Sequence, residues 1–436
     1  MTTRQNNPRR FYLNGIDWIV QGMQYNCQTA PGGYYQFLII SHLAGTPDAD
    51  KLRMCLRKLQ EMFPLLSGKL RRNWFNLAPY WQAPRKIIFR DILTVVQLNE
   101  PDREQACHRY LTGFLNTPFS DDMPKLAAML LVLSDGSSRL ALNFDHRLFD
   151  AAGGEQIIAI LNDLWNGAEP DASGFMAPEG PWLNEWRHQF ACGRTVNRAL
   201  LSIRKQGTAS LLSSNSVGSN RYALIQLDEA GFASLEKRAD TEAGPMMLTP
   251  YLAATIQEAL HRIFSKRGDC NSICVCPMTV SLRQGRRDEL FFNRWSIMPM
   301  YSSPNSSHEE RLKQQIGLFY TYIKNKLPYC LSKACLLCRP LPLPAIAKFS
   351  QKSSGSSGTA AIALLSQMEF DSVFLLGEKV KELYHVPRIP PSPGLGIFMN
   401  RRGSKLNITL SWVDGVIDDE ELEILASAIP QAAEPT

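Results

Sequence analysis

The stretch Leu140-Ala-Leu-Asn-Phe-Asp-His-Arg-Leu-Phe-Asp-Ala-Ala-Gly-Gly154 decides how the rest of the chain is read. Leu140, Leu142 and Phe144 alternate with Ala141, Asn143 and Asp145, the period-two pattern of a strand with one face buried. His146 falls on the apolar parity. Ala151-Ala-Gly-Gly154 then breaks the strand, and Ile157, Leu161, Leu164 and Trp165 recur at helical spacing beyond it. His146 and Asp150 therefore bracket a strand-to-helix turn. An imidazole fixed at a strand end and pointing into the space beyond suits a general base. A hydrogen-bonded core or surface histidine has the same local spacing, so the surroundings must choose.

Asp145-His146-Arg-Leu-Phe-Asp150-Ala151 resembles the His-His-x-x-x-Asp-Gly motif of the chloramphenicol-acetyltransferase-like acyltransferases, a superfamily that includes peptide-synthetase condensation domains, plant alcohol acyltransferases and wax-ester synthases. His146 and Asp150 match; Asp145 stands for the first histidine and Ala151 for the glycine. Upstream, Leu59-Gln-Glu-Met-Phe-Pro-Leu-Leu-Ser-Gly-Lys-Leu70 looks like the family segment in which a helix closes on a Pro-x-Leu-x-Gly turn before a strand. Asn116 to Pro124 is similar to the loop that precedes the family's histidine hairpin. Downstream, Val280-Ser-Leu-Arg283 resembles the strand whose arginine pairs with the motif aspartate across two lobes. On that resemblance Asp150 is structural, orienting the motif loop, and Arg283 is its ion-pair partner; the alternative is a surface arginine. The plant-type Asp-Phe-Gly-Trp-Gly motif is absent, which argues against close kinship with the plant enzymes.

The bounds from composition agree. A chain of 436 residues with 44% hydrophobic and 20% charged residues is long enough for two domains or one large duplicated fold. No apolar run approaches the ~20 residues that cross a bilayer, and Met1-Thr-Thr-Arg-Gln-Asn-Asn7 is no secretory signal. The expected location is cytoplasmic. A net charge of +6 comes without the like-charge block of a nucleic-acid tail. Lys266-Arg267, Arg283 with Arg286-Arg287, and Arg401-Arg402 are either solvated loop charges or partners for a phosphate of coenzyme A or a carrier protein. Ten cysteines are too sparse for a disulfide scaffold. Cys330, Cys335 and Cys338 sit among leucines with no second Cys-x-x-Cys or histidine pair, so reduced thiols and no metal are expected. A metal protein built on that cluster is the competing reading.

Along the chain, a strand is expected at Tyr34–Ile40 and a helix from Asp48 to Phe63, ended by Pro64. A helix covers Glu104 to Leu115, and Leu126–Leu133 and Arg139–Asp145 form a hairpin that delivers His146. The small-residue stretches after Trp165 and around Lys205–Asn220 mark a connection, with a helix at Pro181–His188 between them. The second half opens with the strand Arg221–Leu227, continues through a helix started by Thr249-Pro250 and a strand at Ser272–Val280, and reaches Phe291-Phe-Asn-Arg-Trp-Ser-Ile-Met-Pro299. That last segment resembles one in which relatives carry glycine-asparagine before an apolar strand; Asn293 fits and the glycine does not. Ser353-Ser-Gly-Ser-Ser-Gly358 reads as a surface linker or a mobile loop. Ala360 to Met368 resembles a family strand ending in Ser-Asn-x-Gly beside the active site, with Ser366 in place. A hairpin of Gly396–Asn400 and Lys405–Trp412 and a helix from about Asp418 close the chain.

The implied fold is α/β: two chloramphenicol-acetyltransferase-like lobes, each a mixed sheet with helices, and an active-site tunnel between them. The expected division is residues 1–175 for the lobe with the histidine motif, 176–220 for the connection and 221–436 for the second lobe. The implied activity is a free-standing acyltransferase of secondary metabolism, moving an acyl group from an acyl-CoA or acyl-carrier thioester to a hydroxyl or amine with His146 as base. Ser366, Asn293 and Trp295 are the candidate donors to the oxyanion. No tightly bound cofactor, no nucleic acid, no membrane span and a monomer go with that reading. The alternative is a non-catalytic relative that keeps the fold as a docking or ligand-binding module.

Overall fold

The computed structural model describes residues 10–28, 33–170, 180–212, 218–283, 290–348, 358–368 and 370–433, without the side chains of Ser202 and of residues 364–367. Arg286, Arg287 and the serine-rich residues 353–357 lie outside it. The chain begins with β1 (Arg10–Tyr12), α1 (Gly15–Cys27), β2 (Gln36–Leu43), α2 (Ala49–Met62), β3 (Lys69–Arg72), β4 (Pro79–Gln82) and β5 (Leu93–Leu98). It continues with α3 (Arg103–Leu115), β6 (Leu126–Leu133), β7 (Ser138–Asp145), α4 (Ala151–Trp165) and α5 (Trp186–Arg204). Then follow β8 (Asn220–Leu227), α6 (Glu229–Ala243), α7 (Leu248–Lys266), β9 (Cys274–Ser281), β10 (Trp295–Ser302), α8 (His308–Lys324) and α9 (Leu327–Cys335). The last elements are β11 (Ala361–Gln367), β12 (Phe374–Leu375), β13 (Glu378–Pro387), β14 (Leu395–Arg402), β15 (Lys405–Val413) and α10 (Asp419–Ala433).

Two six-stranded mixed sheets organise these elements, in the orders β12-β13-β2-β7-β6-β5 and β10-β9-β11-β14-β15-β8, with β1-β4-β3 as a small third sheet. Both central strands of the first sheet are buried almost throughout, β7 at every residue, because helices cover both faces. One face packs Phe37, Ile39, Leu142 and Phe144 against α1, α2 and α4. The other packs Leu38, Ile40 and Ala141 against α3, and Tyr222 of β8 joins that cluster. The second sheet has its own core with α6, α7 and α10, built on Ile397, Met399, Ile408 and Leu410. Thus α3 and β8 lie where the two layers meet, tied by paired hydrogen bonds between Asn116 and Asn220.

The α/β reading with two mixed sheets is what the chain adopts, but two elements depart from expectation. The helix placed at Pro181–His188 begins at Trp186 and runs to Arg204. The Gly180 and Pro181 carbonyls are instead bound by Arg339 Nη2 at 3.1 Å and Asn76 Nδ2 at 2.7 Å, so they are committed outside a helix. Segment 221–436 also supplies more than the second sheet: β12 and β13 return to the first, where β13 pairs antiparallel with β2. A register shift between Val380 and Glu382 breaks the two-residue period there, which hides the strand in the sequence.

Except for two-residue β12, β13 would leave an open sheet edge. Polar side chains of the second sheet cover it. Asn407 Nδ2 donates to Leu383 O at 3.0 Å and Thr409 Oγ1 to His385 O at 2.7 Å, all buried. A buried carbonyl that loses its only donor is costly. Thr409→Val should therefore lower the unfolding free energy by about 1–3 kcal/mol in a urea titration; an unchanged midpoint would show that this edge needs no cap.

Candidate active site

His146 follows directly from β7, and its backbone N–H donates to Tyr35 O at 3.1 Å. The imidazole stacks on the Tyr35 ring, 4.5 Å between centroids with 6° between planes, and meets the Phe37 ring edge-on at 5.2 Å. Its Nδ1 is buried while the residue keeps partial exposure. Burial lowers the imidazole pKa below its ordinary value, opposed by hydrogen bonding and the Asp150 charge. A neutral imidazole is the form that accepts a proton.

The turn after His146 is closed by Leu148 and Phe149 N–H groups on Asp145 O, at 3.0 and 3.1 Å. Asp150 then caps α4, accepting from Gly153 N at 2.9 Å. Its carboxylate also binds the Arg283 guanidinium and accepts from Arg294 N at 2.9 Å. Sequence placed these two residues 133 positions apart as partners, and the structure brings them together, both buried. Burial alone would raise the Asp150 carboxyl; Arg283 and the two backbone donors outweigh it and hold it below the usual range. Ala151, where the family motif has glycine, is the first residue of α4 and is not among the left-handed residues, so the change costs the backbone nothing. The packing demand falls on Gly153, where a Cβ would collide with the Leu290 carbonyl.

Three consecutive residues before β10 grip the same loop. Phe292 N donates to Leu148 O at 2.7 Å, Asn293 Nδ2 to His146 O at 2.9 Å, and Arg294 N to Asp150 Oδ2. Phe292 occupies the place of the family glycine and is held at φ 76°, a conformation that costs a residue with a Cβ about 1–2 kcal/mol. Its buried ring helps pack the first core.

Asn293 is anchored in turn by Asp17, whose Oδ1 accepts from Asn293 N at 2.7 Å and from Nδ2 at 3.2 Å. Asp17 Oδ2 closes a capping box with Asn14 at the start of α1. Burial pushes the Asp17 carboxyl up to about 7 despite these donors. Trp295 Nε1 donates to Asn293 Oδ1 at 3.0 Å. The side-chain N–H groups of Asn293 and Trp295, both expected as oxyanion donors, are thus engaged within the protein. Ser366 lies on β11, and its side chain is outside the described residues.

Sequence reasoning missed the support beneath the histidine. Asp145, standing for the first motif histidine, is fully buried and binds Arg147 through Nε at 3.0 Å and Nη2 at 2.7 Å. It also accepts from Tyr34 Oη at 2.9 Å, and Arg147 Nη2 contacts the same hydroxyl. Burial would raise the Asp145 carboxyl, but Arg147 and the buried Lys125 keep it below the usual range. Asp145-x-Arg147 was a readable charge pair; the Tyr35 stack was not, because it depends on strand register. Among the described residues no three histidine, cysteine or acidic groups are gathered as a metal site, and Cys335 is buried while Cys330 and Cys338 are partly exposed thiols.

The sequence matches no protein-family model and no curated protein. Solved structures do match over nearly the whole chain. A mutant starter condensation domain of rhizomide synthetase RzmA, in complex with C8-CoA and Leu-SNAC, aligns with TM-score 0.68 and 12% identity, covering 98% of this chain and 95% of that one. The first condensation domain of the CDA synthetase aligns with TM-score 0.68 and 15% identity, over 98% and 96%. The chain thus has the condensation-domain fold. The same fold carries the trichothecene 15-O-acetyltransferase TRI3 of Fusarium sporotrichioides, similar at TM-score 0.68 and 12% identity over 97% and 94%.

Breaking a buried pair strands its remaining charge. Arg283→Ala should destabilise by about 3–5 kcal/mol at neutral pH, and adding Asp150→Ala should recover part of the loss in a double-mutant cycle. Because the Asp150 pKa is depressed on folding, its stabilisation is present above the unfolded carboxyl value of about 3.9 and fades as pH falls below it. Additive single and double losses would show that the two side chains are not coupled.

Proposed function

We propose that this protein is an acyltransferase that moves an acyl group from a thioester to a hydroxyl or amine, with His146 as general base. The observation that carries the reading is the placement of His146: an imidazole with Nδ1 buried, held by contacts to its backbone and ring, and an aspartate turned away from it into Arg283. Nε2 takes the proton from the acceptor as it attacks the thioester carbonyl, and returns it to the departing thiolate as the tetrahedral intermediate collapses. Asp150 and Arg283 are positioning residues. The oxyanion needs a donor other than Asn293 or Trp295, and Ser366 is the remaining candidate from the sequence.

The fold supports this reading because the similar structures include condensation domains and an O-acetyltransferase. The RzmA domain was crystallised with C8-CoA, and an acyl-CoA or a phosphopantetheine-bound acyl group is the donor class we assign here. Donor and acceptor would meet at His146 through a passage between the two sheets, from which water must be kept out. A role in secondary metabolism accords with the synthetase and trichothecene neighbours.

Thiol release from acyl-CoA and acyl-carrier donors, with alcohol and amine acceptors, tests this directly. Acceptor-dependent release should fall by about 100-fold or more in His146→Ala. Equal rates in both proteins would remove His146 as the base, and donor binding without release would make the chain a binding module. Since burial lowers the imidazole pKa, the acid limb of the rate profile should have its midpoint below the ordinary histidine value of about 6.5. A limb well above that value would assign the titration to another group.

A further inference from the structure

The outer face of α5 is neither buried nor neutral. This helix carries four arginines and no acidic residue. Its inner side packs Val196, Ala199 and Ile203 toward the second sheet. Arg187, Phe190, Arg194, Arg198, Leu201 and Lys205, spaced three or four apart, are all exposed and form one stripe along the opposite side. Trp186 meets Phe190 edge-on at 6.1 Å between centroids, and Arg187 lies over the Trp186 ring. None of these cations forms an ion pair among the described residues, and Glu185 is the acidic side chain at the edge of the stripe.

A second exposed element is tied to the segment that leads into α5. The tip of the β3–β4 hairpin holds Trp74 and Phe75, 83% and 82% exposed, against each other at 5.0 Å. Asn76 in the same tip donates to Pro181 O, fixing it beside Trp182, which is 62% exposed. Indole and phenyl groups at this exposure are unfavourable in water. Beside arginines that form no ion pair among the described residues, they match a bilayer interface, where aromatic rings enter the headgroup layer and guanidinium groups meet lipid phosphates. No described helix is long and apolar enough to cross a membrane, so contact would be from one side.

We propose that the α5 stripe and the Trp74–Phe75 tip form a docking surface for an anionic lipid bilayer. Charge complementarity selects an acidic surface, and the two protruding rings on a hairpin tip select a penetrable one. The surface would hold the protein beside lipid-borne or strongly apolar substrates.

Co-sedimentation with phosphatidylcholine vesicles, with and without phosphatidylserine, tests this. Binding should require phosphatidylserine and weaken with salt. Arg194→Glu with Arg198→Glu should weaken it about 100-fold, and Trp74→Ser with Phe75→Ser about tenfold. Both pairs change exposed side chains, so each variant should keep the wild-type melting temperature. No binding to phosphatidylserine vesicles overturns the proposal, as does binding to neutral vesicles that ignores the arginine changes. Capture by an acidic carrier protein without vesicle binding overturns it in favour of a protein partner. A dimer abolished by the tip variant overturns it in favour of a second copy of the chain. Vesicle binding is read without acyl transfer, so its failure and that of the acyltransferase reading are distinguishable.

Discussion

The Asp150 carboxylate is the point on which the rest of the site depends. It ends one strand-to-helix turn, starts a helix, neutralises a buried arginine from a segment 133 residues later and accepts the backbone N–H of Arg294. Each bond alone is worth little more than the desolvation it offsets. Together they hold the carboxylate from three sides, and through it they tie down the end of the loop that carries His146. That is why an aspartate four residues from a histidine can matter to the histidine without touching it. The charge is spent on geometry.

Around that point the loop is gripped by residues of opposite character. Phe292 is held in a conformation better suited to glycine, and its ring packing offsets the backbone cost. Asn293 and Asp17 satisfy one another in a pocket that keeps water out. Asp17 also caps α1, so the entry of the first helix and the placement of the histidine carbonyl are parts of one hydrogen-bonded unit. Such a unit rewards being complete: removal of one member exposes the others to the full penalty of burial.

The sequence was most legible where local pattern and chemistry coincide. The β6–β7 hairpin, the turn at His146 and the start of α4 lie within a few residues of their expected places, because alternation and glycine punctuation are local properties. The pairing of Asp150 with Arg283 was legible through family resemblance, since spacing carries no information across 133 residues. What stayed hidden is set by three-dimensional register. The Tyr35 stack depends on how β2 aligns with β7. The engagement of Asn293 and Trp295 with each other and with Asp17 is invisible from the side-chain types, which would serve an oxyanion equally well. Strand β13 escaped because its bulge interrupts the alternation that marks a strand.

That strand has a consequence for how the chain assembles. The first sheet is not finished when the last residue of α4 has been made; β2 waits for residues 378–387, more than two hundred positions later. Until they arrive, a buried, apolar strand stands with one edge open, a template for mispairing. The returning segment is then capped by Asn407 and Thr409 of the second sheet, which lie later still in the chain. Folding of the two halves is therefore sequentially interlocked, and long-range closure of this kind is slow. During synthesis the chain would spend its most aggregation-prone interval with its histidine motif already made and its first sheet one strand short.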